Sequence, residues 1–314
     1  MQGNTLRHRI VRSTLTLPVT IVVGAAVWMA PDPADPQLWG GLAVALVQTF
    51  MLMELTNRNQ LLRIRSRMVS TTYMALVTAC PFLHRFSWES VPPVCFAAAY
   101  FLLFATYQRK RPEADAFHAF LLLAVGSFSF PPMILLGVLY FLSMLIQLRS
   151  LTWRTFTAGI FGVLLPAAFY AAWVIGRHET ATAMDFLSPY LHPAMPDYTV
   201  IPIWQLVNAG FLATLALLGL LHYYRTNFND KIRVRMCYYA IIMQEVALLA
   251  ALCLLPEHFT QVFALLILNS APLLGHYFAL ARGRGWMTAW FLFWITALVG
   301  LGLYNYGLLP FLPQ

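Results

Sequence analysis

Basic residues come in short bursts along this chain, and long apolar runs separate the bursts. Eighteen of the twenty Lys and Arg residues fall into six clusters: Arg7/Arg9/Arg12, Arg58/Arg63/Arg65/Arg67, Arg109/Lys110/Arg111, Arg149/Arg154, Arg225/Lys231/Arg233/Arg235 and Arg282/Arg284. Only Arg85 and Arg177 lie elsewhere, and most of the acid sits in the stretches between clusters. A bilayer imposes such a pattern, because short cytoplasmic loops keep Lys and Arg while hydrocarbon excludes charge. Each gap between clusters has room for two crossings, and one more apolar run follows the sixth cluster. The expected fold is therefore an all-α, polytopic transmembrane helix bundle of about eleven spans, with a cytoplasmic N-terminus.

Composition agrees: 60% of the 314 residues are apolar and only 10% are charged, against about a quarter charged in soluble proteins. The net charge of +8 does not point to nucleic acid, since the cations are spread over six loop edges instead of forming one basic stripe. Anionic lipid headgroups are the better partner. No polar segment is long enough for a separate domain, so residues 1–314 read as one membrane domain. The run Ser13 to Ala30 reaches spanning length, which favours an uncleaved first helix over a secretory signal. Few residues outside the membrane, with a positive-inside bias, fit a bacterial inner membrane.

The expected spans are 13–30, 38–56, 68–84, 92–108, 114–130, 132–148, 156–175, 205–223, 236–255, 260–281 and 286–304. Trp28, Trp39, Trp173 and Trp204 fall at outer edges and Trp153 and Trp286 at inner ones, as an aromatic belt would place them. Pro112 to Leu148 has only 37 residues for two crossings. Pro131-Pro132 there makes either a tight outward turn between two short helices, the favoured reading, or a re-entrant break lining a cavity. The longest outward loop, Gly176 to Gln205, carries His178, Glu179, Asp185, His192 and Asp197. His178-Glu179 starts like a zinc motif, but position 182 is Thr, so no metal site is expected. Met184, Phe186, Leu187, Tyr190 and Leu191 in that loop suit a short interfacial helix.

Glu245 is the most informative single residue, at the centre of an apolar run with Gln244 beside it. A charge at bilayer depth costs about 2.5 to 3.5 kcal/mol, so Glu245 must meet protein, water or a proton. On the next helix Asn269, Pro272, Leu273 and His276 share a face. Glu245, Asn269 and His276 are accordingly the expected polar site, either a proton relay or headgroup ligand or an interhelical bond that fixes packing. Glu54 is placed to pair with Arg58, and Asn57, Asn59 and Arg63 form a polar turn of unassigned purpose. His118 and His222 sit near inner edges and suggest no haem pair, so no cofactor is assigned.

Asp32 and Asp35 occupy the first outward loop, where polytopic glycosyltransferases that use lipid-linked sugars keep an acidic base. In that reading they are the candidate catalytic residues, and Arg85 and Arg177, the only outward cations, bind the lipid phosphate. The plain alternative is a rigid acidic turn. Cys80 and Cys95 lie at similar depth near the outer ends of neighbouring helices, so a disulfide is geometrically open to them, while small apolar filler is the favoured role.

Asn59 through Arg63 and Arg65, then Cys80-Pro81, the Gly126 to Pro132 turn and Arg154 to Pro166, resemble an uncharacterised polytopic inner-membrane protein family of Bacteroidetes, over roughly the N-terminal half. The resemblance implies fold and location and carries no catalytic residue. Carotenoid oxygenase chemistry, a label sometimes attached to that family, needs four histidines, and only His118, His222 and His276 lie near the membrane. Whether the chain is an enzyme stays open. The expected function is transport or transfer of a lipid-linked or lipophilic envelope precursor, with a scaffold subunit that docks other membrane proteins as the alternative.

Overall fold

The computed structural model describes residues 6–178, 198, 201–281 and 286–308. Among the described residues the chain is helical throughout, with no strand. The helices are α1 (Leu6–Arg12), α2 (Thr16–Met29), α3 (Pro36–Asn59), α4 (Met68–Thr78), α5 (Val91–Ala105), α6 (Glu113–Ser127), α7 (Leu136–Ile146), α8 (Trp153–Arg177), α9 (Ile203–Thr226), α10 (Ile232–Leu254), α11 (Phe259–Leu280) and α12 (Trp286–Asn305). Every expected span carries one of them. Local chemistry sets several ends. Asp35 accepts the Gln37 amide at 2.9 Å with Pro36 at the first helical position of α3. Thr152 accepts the Thr155 amide at 3.2 Å to start α8, and Gln60, with φ of 52°, closes α3.

Among the described residues, seven helices are long and apolar enough to cross a membrane: α3, α5 with the turn before it, α8, α9, α10, α11 and α12. Counting α1 and α2 as one span bent by 88° makes eight. The expected span at 68–84 is shorter than read, since α4 stops at Thr78 and residues 81–83 form a separate turn of 3₁₀ helix at Pro81. The segment Pro131–Ile146 is also a short apolar helix.

Loop contacts sort the chain into two ends. At one end Arg63 meets Asp230 at 2.5 Å, Lys231 donates to Gln60 at 2.8 Å, the Gln108 amide donates to Leu148 O at 3.1 Å, and Arg7 donates to Ala281 O. These join five of the six basic segments to one another or to their neighbours; Arg282 and Arg284 lie outside the described residues. At the other end the Phe86 amide donates to Gln37 O at 2.9 Å, Gln261 to Glu89 at 2.8 Å and Tyr198 to Cys253 O at 2.9 Å. The Pro131-Pro132 turn belongs to this second end, where Ser129 Oγ donates to Trp88 O at 2.6 Å. It is a turn between two short helices that reach the far loops.

The axis of the bundle is α11. Of its span window 89% is buried, against 17% for α8 and 11% for α12, which lie on the outside. It packs on α4, α5, α9 and α10. In lipid, burying Leu side chains brings little hydrophobic gain, so close approach and interhelical hydrogen bonds must set the register. Gly275 supplies the approach, because a Cβ there would sit 2.7 Å from Val69 Cα on α4.

Some expectations change. Trp28 is not in a lipid-facing belt: it is buried, stacks on His84 with centroids 3.7 Å apart and donates to Leu38 O at 3.1 Å. Trp204 packs on Phe82 and Phe259, while Trp39, Trp153, Trp173 and Trp286 are exposed. Cys80 and Cys95 are free and buried, and the Cys80 thiol donates to Asn208 Oδ1 at 3.8 Å. Glu179, Met184, Asp185, Phe186, Leu187, Tyr190, Leu191, His192 and Asp197 lie outside the described residues.

Candidate functional site

Glu245 and Asn269 come together as their sequence positions suggested. Glu245 is buried on α10; it accepts from Asn269 Nδ2 at 2.5 Å and from Ser270 Oγ at 2.5 Å, both on α11. Asn269 is the hub, since it also donates to Ile241 O at 3.1 Å and accepts from the Tyr100 hydroxyl of α5. Three helices are thereby joined at one depth.

His276 does not join this group. Seven residues beyond Asn269 on the same helix, it is displaced by about 10 Å at helical rise. Because α10 and α11 run antiparallel, that displacement leads back toward the start of α10. There His276 Nε2 lies 3.3 Å from Asp230 Oδ2. Arg63, from the α3–α4 connection, bonds the other carboxylate oxygen at 2.5 Å through Nε and reaches Thr226 O at 2.7 Å through Nη2. Tyr223 and Tyr238 pack edge-on to the imidazole at 5.2 and 5.3 Å. His222 lies 5.7 Å from it, ring to ring. Burial pushes the Asp230 carboxyl up, but hydrogen bonds from His276 and Arg63 outweigh that and hold it below its ordinary range.

Arg63 separates two openings. One, of about 420 Å³, is lined by Arg63, Arg65, Lys231, Asp230, Asn57 and Gln60. The other, of about 270 Å³, is lined by Arg63, Arg225 and His222 on its polar side and by Phe228, Leu280 and Met287 on its apolar side. The carboxylate between them is already matched by Arg63 and His276, so Arg65, Lys231 and Arg225 leave the openings positive. Such a place accepts an anion, and the apolar wall of the smaller opening accepts hydrocarbon beside it.

The candidates Asp32, Asp35, Arg85 and Arg177 assemble only in part. Asp32 accepts the Ala34 amide at 3.0 Å and Asp35 caps α3, so both carboxylates hold turns. Arg85 pairs with Asp35 at 3.2 Å. Arg177 is at the far end of α8, 5.2 Å over the ring of its own neighbour Trp173. The opening near Arg85 and Glu89 has about 50 Å³, far below the roughly 300 Å³ at which small-molecule sites begin. Glu245 lines none of these openings.

The basic-end site was missed as a unit because its parts are 46 to 167 residues apart in sequence. A signal existed nonetheless: Asp230 is the only acid inside the cluster Arg225 to Arg235. Among the described residues no group of three or more metal-ligating side chains occurs. Comparison of the chain with protein-family models, with curated proteins and with solved structures finds no match.

Proposed function

We propose that this chain is an eleven-span inner-membrane protein, its basic end in the cytoplasm, that binds the phosphorylated headgroup of a lipid-linked envelope precursor and moves or transfers it. The observation that carries the reading is Arg63, pinned by Asp230 and the Thr226 carbonyl between a polar opening and an amphipathic one. A phosphate on Arg225, beside Arg63, would leave its lipid chain against Phe228, Leu280 and Met287. The eleven-span count rests on the sorting of basic and acidic loops to opposite ends, and the short helices α4, α6 and α7 then cross a locally thinned bilayer.

Binding of a polyprenyl phosphate to the full chain in nanodiscs tests it, with a neutral prenol and phosphatidylcholine as controls. The phosphate should bind, more weakly at high salt. Replacing the rim cation Arg225 by Gln should weaken it by about tenfold, without disturbing the Arg63–Asp230 pair. Equal binding of the prenol would sink the reading.

A second reading, the scaffold subunit, is favoured by the outer helices. The span windows of α8 and α12 are 17% and 11% buried, which leaves faces open to lipid or to another membrane protein. Co-purification of a stoichiometric membrane partner, with no phosphate dependence, would put it first.

A further inference from the structure

Several buried polar groups on α7, at its C-cap and on α10 have no protein partner among the described residues: the Tyr140 hydroxyl, Ser143 Oγ, Gln147 Oε1 and both amide atoms of Gln244. Tyr140, Ser143 and Gln244 are wholly buried. Buried polar atoms in proteins are satisfied by protein or by ordered water, and here protein does not serve. Their placement is ordered. Tyr140, Ser143 and Gln147 follow one stripe of α7 at spacings of three and four, ending at the basic end of the bundle. On α10, Gln244 shares a face with Arg233, Cys237 and Ala240. Arg233 lies 5.8 Å over Tyr107, and the amide of the next residue, Gln108, bonds Leu148 O at 3.1 Å. That face of α10 is therefore turned toward α7 and the end of α5, and α10 packs on α7.

The stripe comes close to the group around Glu245. The Tyr140 ring lies 6.0 Å from that of Tyr100, whose hydroxyl donates to Asn269, which donates to Glu245 at 2.5 Å. We propose that a file of buried water molecules fills the seam between α7 and α10 and connects Glu245 to the basic end, so that Glu245 is a proton-binding site in exchange with water on that side.

The immediate surroundings of Glu245 suit both of its charge states. As a carboxylate it accepts from Asn269 and Ser270. When neutral, its own O–H can donate to Ser270 Oγ, because a hydroxyl both donates and accepts. Tyr100 of α5 and, behind it, Tyr140 of α7 are the titratable groups on this side, and α11 presents only Asn269 and Ser270. Among the described residues no cation pairs with Glu245 within 4.0 Å. Protonation moves one proton along the file onto the carboxylate, and release returns it by the same path. The inference is independent of the headgroup reading, since the two use different residues.

Infrared spectroscopy of the full chain in lipid, with ¹³C-labelled glutamate, tests it. A neutral-carboxyl band assigned to Glu245 by its loss in Glu245→Gln should titrate with bulk pH and shift on transfer to D₂O. The pair Tyr140→Phe and Gln244→Leu, which keeps side-chain volume and removes the polar groups, should slow that shift by about tenfold. Should Glu245→Gln fail to fold, Glu245→Asp, which keeps a carboxyl but takes this position out of the ¹³C-labelled glutamate set, makes the assignment. Absence of a titrating band, a band that does not exchange in the folded protein, or exchange unaffected by the Tyr140 and Gln244 changes would each overturn the proposal.

Discussion

His276 Nε2 and Asp230 Oδ2 lie 3.3 Å apart, both side chains buried, one from the axial helix and one from the turn that precedes α10. Arg63 completes the contact from a third segment at 2.5 Å. One buried carboxylate thus joins two connections to the axial helix at the basic end, and it does so where the chain's positive charge is densest.

Arg63→Met leaves Asp230 with His276 alone. Breaking a buried pair costs about 3 to 5 kcal/mol, and because Arg63 keeps some exposure the expected loss is nearer about 2 to 3 kcal/mol. Adding Asp230→Asn should return part of it, since no uncompensated charge remains. Thermal or denaturant unfolding in a mild detergent decides between them: a double variant less stable than Arg63→Met would contradict the charge argument.

Acid should destabilise the fold in two windows. His84, in the connection after α4, is stacked on Trp28, donates from Nε2 to Val77 O at 3.1 Å and faces the Tyr306 hydroxyl at 3.3 Å through Nδ1. Burial pushes its pKa down from 6.5 to about 4. The unfolded chain takes the proton first, so stability is complete above pH 6.5 and falls as pH drops toward 4. Asp230, held below its ordinary range, keeps its contribution down to about pH 3.9 and loses it below. A melting profile should therefore drop between pH 6.5 and 4 in the wild type and much less in His84→Phe, which cannot protonate. Parallel profiles would remove His84 from the account.

What could be read from the sequence follows from what lipid imposes. Charge exclusion makes the position of the apolar runs legible, and each expected run did become a helix. Length was less legible: Pro81 and Pro131-Pro132 end helices locally, and a seven-helix count by spanning length results. Glu245 with Asn269 was legible because a buried acid demands a donor on its neighbour. His276 was assigned to the wrong partner, since a shared helix face says nothing of depth, and the antiparallel register of α10 decides depth. Asp32 and Asp35 looked chemical only by their loop, and their bonds to the Ala34 and Gln37 amides show turn and cap roles.

Asn269→Ala should be costly for its size. It strips the Tyr100 hydroxyl of its acceptor and Ile241 O and Glu245 of a donor. Each unsatisfied buried group costs about 1 to 3 kcal/mol. Loss of folded, monodisperse protein on size-exclusion chromatography is expected, with partial recovery in Asn269→Gln. Wild-type melting behaviour of the Ala variant would show that water replaces the hub.

Glycine substitutions separate close packing from helix propensity. A Cβ at Gly275 would lie 2.7 Å from Val69 Cα, and the obstacle is backbone, which cannot swing aside. Gly210 on α9 and Gly300 on α12 meet nothing within 4 Å. All three are interior to helices, where Ala is intrinsically better than Gly by about 1 kcal/mol. Gly210→Ala and Gly300→Ala should therefore be neutral or stabilising. Gly275→Ala must push α11 away from α4, at a cost of about 1 to 3 kcal/mol for overpacking. The displacement also acts on α10, because Asn269 and Ser270 lie less than two turns from Gly275 on the same helix. Melting temperatures of the three variants in lipid test the argument by their order, which cancels what the solubilising medium does to all of them. If Gly275→Ala melts with the other two, the α4–α11 contact does not set the register of the bundle.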